Sequence, residues 1–89
     1  MAVEDLSNIW HYAEEKWSEK QADRYYSMLI GTIKSVSINP YLGRSYQDIF
    51  PGLKGILAGR HLIFYRVLPN YVEITRILHT RMDVRDRLL

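Results

Sequence analysis

The side chains of this sequence with the clearest chemical capability are basic and lie in its second half. His79 and Arg81 open a charged C-terminal stretch, and Arg60 follows a glycine between two apolar segments. An imidazole can move a proton and guanidinium groups can stabilise a phosphorane, so these three residues are the set that acid–base cleavage of RNA would use. Further cations that the same region could add to a pocket are His61, Arg66 and Arg76. The pattern allows such a site without requiring one, because a lone histidine is more often structural than catalytic.

Composition and motifs exclude several other kinds of site. The chain has no cysteine, which removes disulfides, thiolate nucleophiles and cysteine-ligated metals. Its three histidines are spread along the chain, and no glycine-rich phosphate loop, HExxH or GxSxG motif is present. We therefore expect no metal and no cofactor. No apolar run approaches the ~18 residues of a membrane span, so we expect a cytoplasmic protein with no membrane partner.

Charge is distributed unevenly along the chain. The net charge is +2, but residues 1–43 sum to −2 and residues 44–89 to +4, and seven of the eight arginines lie in the second part. Because arginine binds carboxylates and phosphates bidentately, we expect one face suited to an anionic partner.

The first half of the chain predicts a hairpin of two helices. Apolar residues recur every three or four positions from Val3 to Trp17, as on one face of a helix. Ser18-Glu19-Lys20-Gln21 then matches a capping box, which would start a second helix. That helix should end near Asn39, because a residue before proline avoids helical geometry.

A stripe of aromatic residues lies along this predicted hairpin: Trp10, Trp17, Tyr25 and Tyr26. At helical spacing such residues are mostly core. The alternative is a partly exposed groove that receives a helix from another protein.

The second half predicts three strands, at residues 54–59, 61–68 and 71–78, after a connector at 40–53. Turns are expected at Gly59-Arg60 and at Pro69-Asn70. Pairing Val67 with Val72 would place Arg66 opposite Glu73, Phe64 opposite Thr75 and Ile63 opposite Arg76. The central strand is apolar on both faces, so one face should be covered by the helices and the other by the chain's own tail or by a partner. The expected fold is a single α+β domain, residues 1–89, with the antiparallel helical hairpin packed on a three-stranded antiparallel sheet.

Four segments of the sequence closely resemble the ParE toxins of the RelE/ParE superfamily: DLSNIWHYAEEKW, QADRYYSML, NPYLGRSYQDIFPGLKGI and GRHLIFYRV with VEITRILHTRMD. The most specific pieces are the NP-x-x-GR connector, the H-x-I-F-Y-R strand and the R-I-L-H-x-R-M-D terminus, which occur in this order. The resemblance implies a helical hairpin on a small twisted sheet, in agreement with the pattern of the residues.

The resemblance also implies a function, that of the toxin of a type II toxin–antitoxin module. ParE toxins act on DNA gyrase and are held inactive by an antitoxin in a hetero-oligomer, whereas RelE relatives cut mRNA on the ribosome. The strands here carry Ile, Phe, Val and Leu rather than a full set of Lys, Arg and Tyr, which favours gyrase inhibition by protein binding, with no specific nucleic-acid contact. The alternatives are a RelE-type ribonuclease using Arg60, His79 and Arg81, and an inactive remnant that only sequesters antitoxin.

Two groups of residues are the candidates for these contacts. The residues expected to bind the target are His79, Arg81, Met82, Asp83, Arg85 and Arg87. The residues expected to bind the antitoxin are Trp10, Trp17, Tyr25 and Tyr26, because aromatic residues dominate interface hot spots.

One departure from the family pattern concerns the sheet. Relatives usually begin with a strand before the first helix, but here the helical pattern starts at Val3. We therefore expect the first strand to be missing and the sheet to have an unpaired edge, filled by antitoxin or by self-association.

Overall fold

The computed structural model describes residues 2–81, and its elements confirm the expected α+β class. The elements are α1 (Ala2–Lys16), α2 (Glu19–Ile38), a short 3₁₀ turn (Pro40–Leu42), β1 (Arg44–Ser45), β2 (Leu53–Ala58), β3 (His61–Val67) and β4 (Val72–His79). Neither helix of the described part is long and apolar enough to cross a bilayer.

Local signals set the ends of α2, as predicted. The amide of Gln21 donates a hydrogen bond of 3.1 Å to the Ser18 hydroxyl, which caps the first turn. At the other end, the amide of Asn39 still donates to the carbonyl of Ser35 at 2.9 Å. The Asn39 side chain accepts from the amide of Tyr41 at 3.3 Å, so the chain leaves the helix directly into the 3₁₀ turn.

The sheet has four antiparallel strands in the order β1-β2-β3-β4, so the prediction of three strands was wrong. The additional strand comes from the connector, where Arg44 pairs with Gly55 and Ser45 with Lys54. Two residues are too few to show the alternation by which a strand is found in sequence.

The pairing of β3 with β4 was predicted correctly only near its turn. Arg66 lies opposite Glu73, as expected, and their side chains form an ion pair of 2.8 Å. A bulge between Phe64 and Tyr65 then shifts the register. Phe64 consequently faces Arg76 rather than Thr75.

Beyond the bulge, Ile63 faces Ile77 rather than Arg76, which was the predicted partner. The same shift places His61 directly opposite His79 at the far end of the two strands. The bulge therefore decides which side chains meet at that end of the sheet.

Both faces of the sheet carry a core. On the helical face, Leu29 of α2 packs with Ile63 and Ile77. On the opposite face, Phe64 is fully buried beneath Tyr46 of the connector, with the two rings 5.2 Å apart. A cover for this face was predicted, but from the tail or a partner; the connector supplies part of it.

The outer edge of β4 is not paired with another strand within residues 2–81. The carboxylate of Asp5, in the first turn of α1, accepts from the Ile77 amide at 2.9 Å and from the Arg76 guanidinium at 2.8 and 3.0 Å. Burial raises the pKa of Asp5, but these hydrogen bonds and the charge of Arg76 outweigh it and hold that pKa below its usual value. The expected free edge is thus present in the described residues, with one of its donors satisfied by a helix.

Candidate functional site

A pocket of about 440 Å³ lies where the helical hairpin meets one end of the sheet. Its helical wall consists of Asn8, Ile9, Tyr12, Ala13, Trp17 and Tyr25. Its sheet wall consists of Arg60, His61, His79 and Arg81. The structure therefore brings together Arg60, His79 and Arg81, the three residues that sequence reasoning selected for acid–base chemistry.

Strand register assembles the sheet wall. His61 begins β3 and His79 ends β4, and their rings meet edge to face with centroids 5.2 Å apart. The amide of Thr80 donates to the carbonyl of Arg60 at 3.0 Å, which continues the pairing past the last strand residues. Arg60 and Arg81 are consequently held just beyond the His61–His79 pair, at the same end of the sheet.

The hydroxyl of Tyr25 joins α2 to this wall. It accepts from the Arg60 amide at 3.0 Å and makes a hydrogen bond of 2.5 Å with Nδ1 of His61. When the hydroxyl donates its single proton to Nδ1, the neutral His61 ring carries its own proton on Nε2. Burial, aided by the nearby His79, lowers the pKa of His61 to about 4, so this ring is neutral at pH 7.

His79 is oriented in a similar way by the backbone. Its Nδ1 accepts from the amide of Arg81 at 3.0 Å. A neutral His79 therefore also carries its proton on Nε2 and presents a donor.

The charges of the pocket are not neutralised within the described part of the chain. No residue lining it is acidic, and neither Arg60 nor Arg81 forms an ion pair with any residue of 2–81. Arg66 and Arg76 were expected to contribute to the same pocket, and this was wrong. Their guanidinium groups are held by Glu73 and by Asp5.

The four aromatic residues predicted as antitoxin anchors do not share one groove. Trp17 and Tyr25 line the pocket, with their rings edge to face at 5.8 Å. Trp10 and Tyr26 line a separate groove between α1 and α2 that has no lining residue in common with the pocket. The indole of Trp10 donates to Asp23 at 3.0 Å across that groove.

Some predicted residues lie outside the described part of the chain, and some pocket residues were not predicted. Four of the residues predicted to bind the target lie outside the described part of the chain: Met82, Asp83, Arg85 and Arg87. Asn8 and Tyr12 were missed. Their spacing of four places them on one face of α1, but nothing in their types distinguishes that face from an ordinary solvated one.

Comparison with known proteins identifies the family of the chain. The model of a family described as "ParE toxin of type II toxin-antitoxin system, parDE" matches residues 1–84. The chain belongs to the ParE toxin family. Membership confirms the resemblance seen in the sequence and makes the chain the toxin component of a ParDE-type toxin–antitoxin system.

Individual ParE proteins are similar over nearly their whole length. Toxin ParE1 of Mycobacterium tuberculosis is 39% identical over 85 residues, which are 94% of this chain and 86% of that protein. Toxin ParE1 of Caulobacter vibrioides is 37% identical over 87 residues, covering 98% of this chain and 90% of the relative.

A solved structure described as the chromosomal ParDE TA system from P. aeruginosa has the same fold. It superposes with a TM-score of 0.76 at 18% identity, over 88% of this chain and 86% of its own. At this identity the likeness concerns the fold alone.

Proposed function

We propose that this ParE-family toxin inhibits DNA gyrase by binding to it in the cytoplasm, and that a cognate antitoxin neutralises the toxin by binding in turn. The observation that carries the proposal is the pair of guanidinium groups, Arg60 and Arg81, that no acidic side chain of residues 2–81 neutralises. Two arginines beside one pocket that no acid of residues 2–81 compensates are suited to an anionic macromolecular surface. The family match over residues 1–84 supports treating the chain as one functional unit.

The target-binding surface of this proposal starts at the pocket and continues into the C-terminal segment. His79 and Arg81 are its described part, and Met82, Asp83, Arg85 and Arg87 extend it. A contact of this kind inhibits by occupying the target, so it requires no bond to be made or broken by the toxin.

The antitoxin has two further surfaces on which to bind in a hetero-oligomer. The groove of Trp10 and Tyr26 offers aromatic anchors to an apolar helix face. The outer edge of β4 offers backbone groups to an extended segment.

A supercoiling assay with purified gyrase tests the proposal. We expect the toxin to inhibit supercoiling and to increase the amount of cleaved gyrase–DNA complex. Arg60→Gln with Arg81→Gln should remove most of the inhibition. Arg44→Gln is the matched control, because Arg44 lies on β1 and does not line the pocket. Intact supercoiling with no rise in cleaved complex would rule out gyrase as the target.

A RelE-type ribonuclease is the second candidate, because Arg60, His79 and Arg81 do converge on one pocket. It requires transcript cleavage that depends on translation and that His79→Ala or Arg81→Ala abolishes. Unchanged transcripts in cells expressing the toxin would exclude it. Expression that also leaves growth unaffected would instead indicate a chain that only sequesters antitoxin.

A further inference from the structure

We propose that the pocket between the hairpin and the sheet accepts an apolar side chain of the antitoxin together with a neighbouring carboxylate. This inference rests on the proposed function, since it assigns a site to the antitoxin named there. The pocket differs from the groove of Trp10 and Tyr26 in its location and in the chemistry of the ligand that it would bind.

The mouth of the pocket is built from donors. Arg60 and Arg81 present guanidinium N–H groups, and His61 and His79 have Nδ1 occupied by Tyr25 and by a backbone amide, which leaves Nε2 to donate. Four side chains that donate, with no carboxylate among the lining residues of the range 2–81, are complementary to an anion.

The interior of the pocket is apolar. Ile9 and Ala13 of α1 line it, together with the ring of Trp17, which packs edge to face on Tyr25 of α2. An aliphatic or aromatic side chain would bury apolar surface against Ile9 and Ala13.

A nucleotide fits this interior less well than a side chain does. The edge of a base carries several polar atoms, whereas the hydroxyl of Tyr25 is already bonded to Arg60 and His61. The remaining polar groups on the described helical wall are the side chains of Asn8 and Tyr12 and the indole N–H of Trp17. A base buried against this wall would therefore lose hydrogen bonds to water that its few free polar groups replace only in part. A volume of about 440 Å³ is also near the lower end of small-ligand pockets, which suits one large side chain and an acid.

Filling the pocket has a direct consequence for neutralisation. The same ligand that anchors on Trp17 and Tyr25 would cover Arg60, His79 and Arg81. The antitoxin would then occupy the groups that the toxin presents to its target, and the two partners could not bind this site together.

Nuclear magnetic resonance titration of the purified full-length toxin tests the chemistry of the pocket without the antitoxin. The probes are phenylpropionate, its uncharged amide phenylpropionamide, inorganic phosphate and adenosine monophosphate. We expect phenylpropionate to shift the imidazole signals of His61 and His79 and to bind about tenfold more tightly than the amide, because the carboxylate meets charged donors. Inorganic phosphate alone should bind more weakly than phenylpropionate, because it leaves the apolar wall uncovered.

Variants distinguish binding in the pocket from a general effect of the positive charge of the protein on anion binding. Arg60→Gln and Arg81→Gln should each lower the affinity for phenylpropionate by about fivefold or more and leave binding of the amide unchanged. Arg44→Gln should change neither affinity. Tighter binding of adenosine monophosphate than of phenylpropionate would overturn the inference in favour of a nucleotide site. Equal affinity for the acid and the amide would overturn the inference that the pocket binds an anion.

The complex with the cognate antitoxin provides the second measurement. We expect phenylpropionate not to shift His61 or His79 in that complex, because the pocket is filled. Unaltered probe binding in the complex would overturn the inference while leaving neutralisation through other surfaces intact. Failure of the gyrase assay, in contrast, would remove the proposed target without changing any of these titrations.

Discussion

At the scale of single residues, Tyr25 links the two halves of the molecule. Its hydroxyl bonds to the Arg60 amide, in the turn before β3, and to the ring of His61. The phenol therefore fixes both the path of the turn and the orientation of an imidazole in the pocket. The sequence predicted Tyr25 as part of an aromatic stripe, but its polar contacts could not be predicted, because they join residues 35 and 36 positions apart.

Removal of this hydroxyl is expected to destabilise the protein. Tyr25→Phe should lower the free energy of unfolding by about 1–2 kcal/mol, since it leaves the Arg60 amide and Nδ1 of His61 without their partner. Urea denaturation measures the change. Tyr12→Phe is the control, because Tyr12 is exposed and has no hydrogen bond among the described residues. Equal stability of Tyr25→Phe and the native chain would contradict the role assigned to the hydroxyl.

The pKa of His61 predicts a loss of stability in mild acid. It is about 4 in the folded chain and 6.5 when unperturbed, so between these pH values the unfolded chain binds a proton that the folded chain does not. The free energy of unfolding should therefore fall as pH decreases from about 6.5 towards 4. By pH 5 the loss should be on the order of 1 kcal/mol, allowing for partial solvent screening. The charged and titratable groups around His61 are Tyr25, Arg60, His79 and Arg81.

Unfolding measured from pH 7 to pH 5 in the native chain and in His61→Gln checks this dependence. The variant should be less stable at pH 7 and should lose less stability on acidification. Asp5 does not contribute in this range, because its lowered pKa keeps it ionised. Identical slopes for the two proteins would show that His61 is not the group responsible.

At the scale of elements, the bulge in the pairing of β3 with β4 matters most for the pocket. Without it, His61 and His79 would not lie opposite each other. The ends of α2 were predictable because Ser18 and Pro40 act on their immediate neighbours. The bulge was not, because an extra residue such as Thr75 leaves the composition and alternation of a strand almost unchanged. Part of the residue set of the pocket, Arg60, His79 and Arg81, could therefore be predicted, but their arrangement could not.

The contact between Asp5 of α1 and the edge of β4 can be tested by mutation. Asp5→Asn should lower the free energy of unfolding by about 1–3 kcal/mol, because it removes the charge that partners Arg76 in a partly buried position. The amide of Ile77 should also exchange its hydrogen faster. Glu14→Gln is the control, as Glu14 is an exposed residue of the same helix. Unchanged exchange at Ile77 would contradict the hydrogen bond from its amide to Asp5.

At the scale of the whole molecule, charge and aromatic surface are distributed over distinct sites. The excess of arginine in the second half of the sequence predicted a cationic face, but not which arginines would remain unpaired. Arg66 and Arg76 are neutralised by acids, one on the neighbouring strand and one in α1, whereas no acid of residues 2–81 neutralises Arg60 or Arg81. The hairpin register predicted the position of Arg66 opposite Glu73, but the partner of Arg76 lies 71 residues away in α1 and is found only in the folded arrangement.

The groove of Trp10 and Tyr26 gives a prediction for the assembled complex. Tyr26→Ala should weaken antitoxin binding by about 30-fold, the usual effect of an aromatic hot spot, with little change in melting temperature because the ring is already partly exposed. Calorimetric titration and a thermal scan measure the two quantities. Tyr71→Ala, at an exposed position in the turn before β4, is the control. A parallel fall in affinity and melting temperature would identify Tyr26 as core instead.

The carboxylate that shields the outer strand also restricts what can join the sheet there. A neighbouring strand that pairs at Ile77 must displace Asp5 from the Ile77 amide and thereby disturb its contact with the Arg76 guanidinium. The repeated addition of identical chains at this edge is thereby disfavoured near neutral pH. Fibres should form more easily once acid protonates the Asp5 carboxylate. A partner that supplies its own acidic group escapes this restriction, so the first turn of α1 selects among incoming strands by charge.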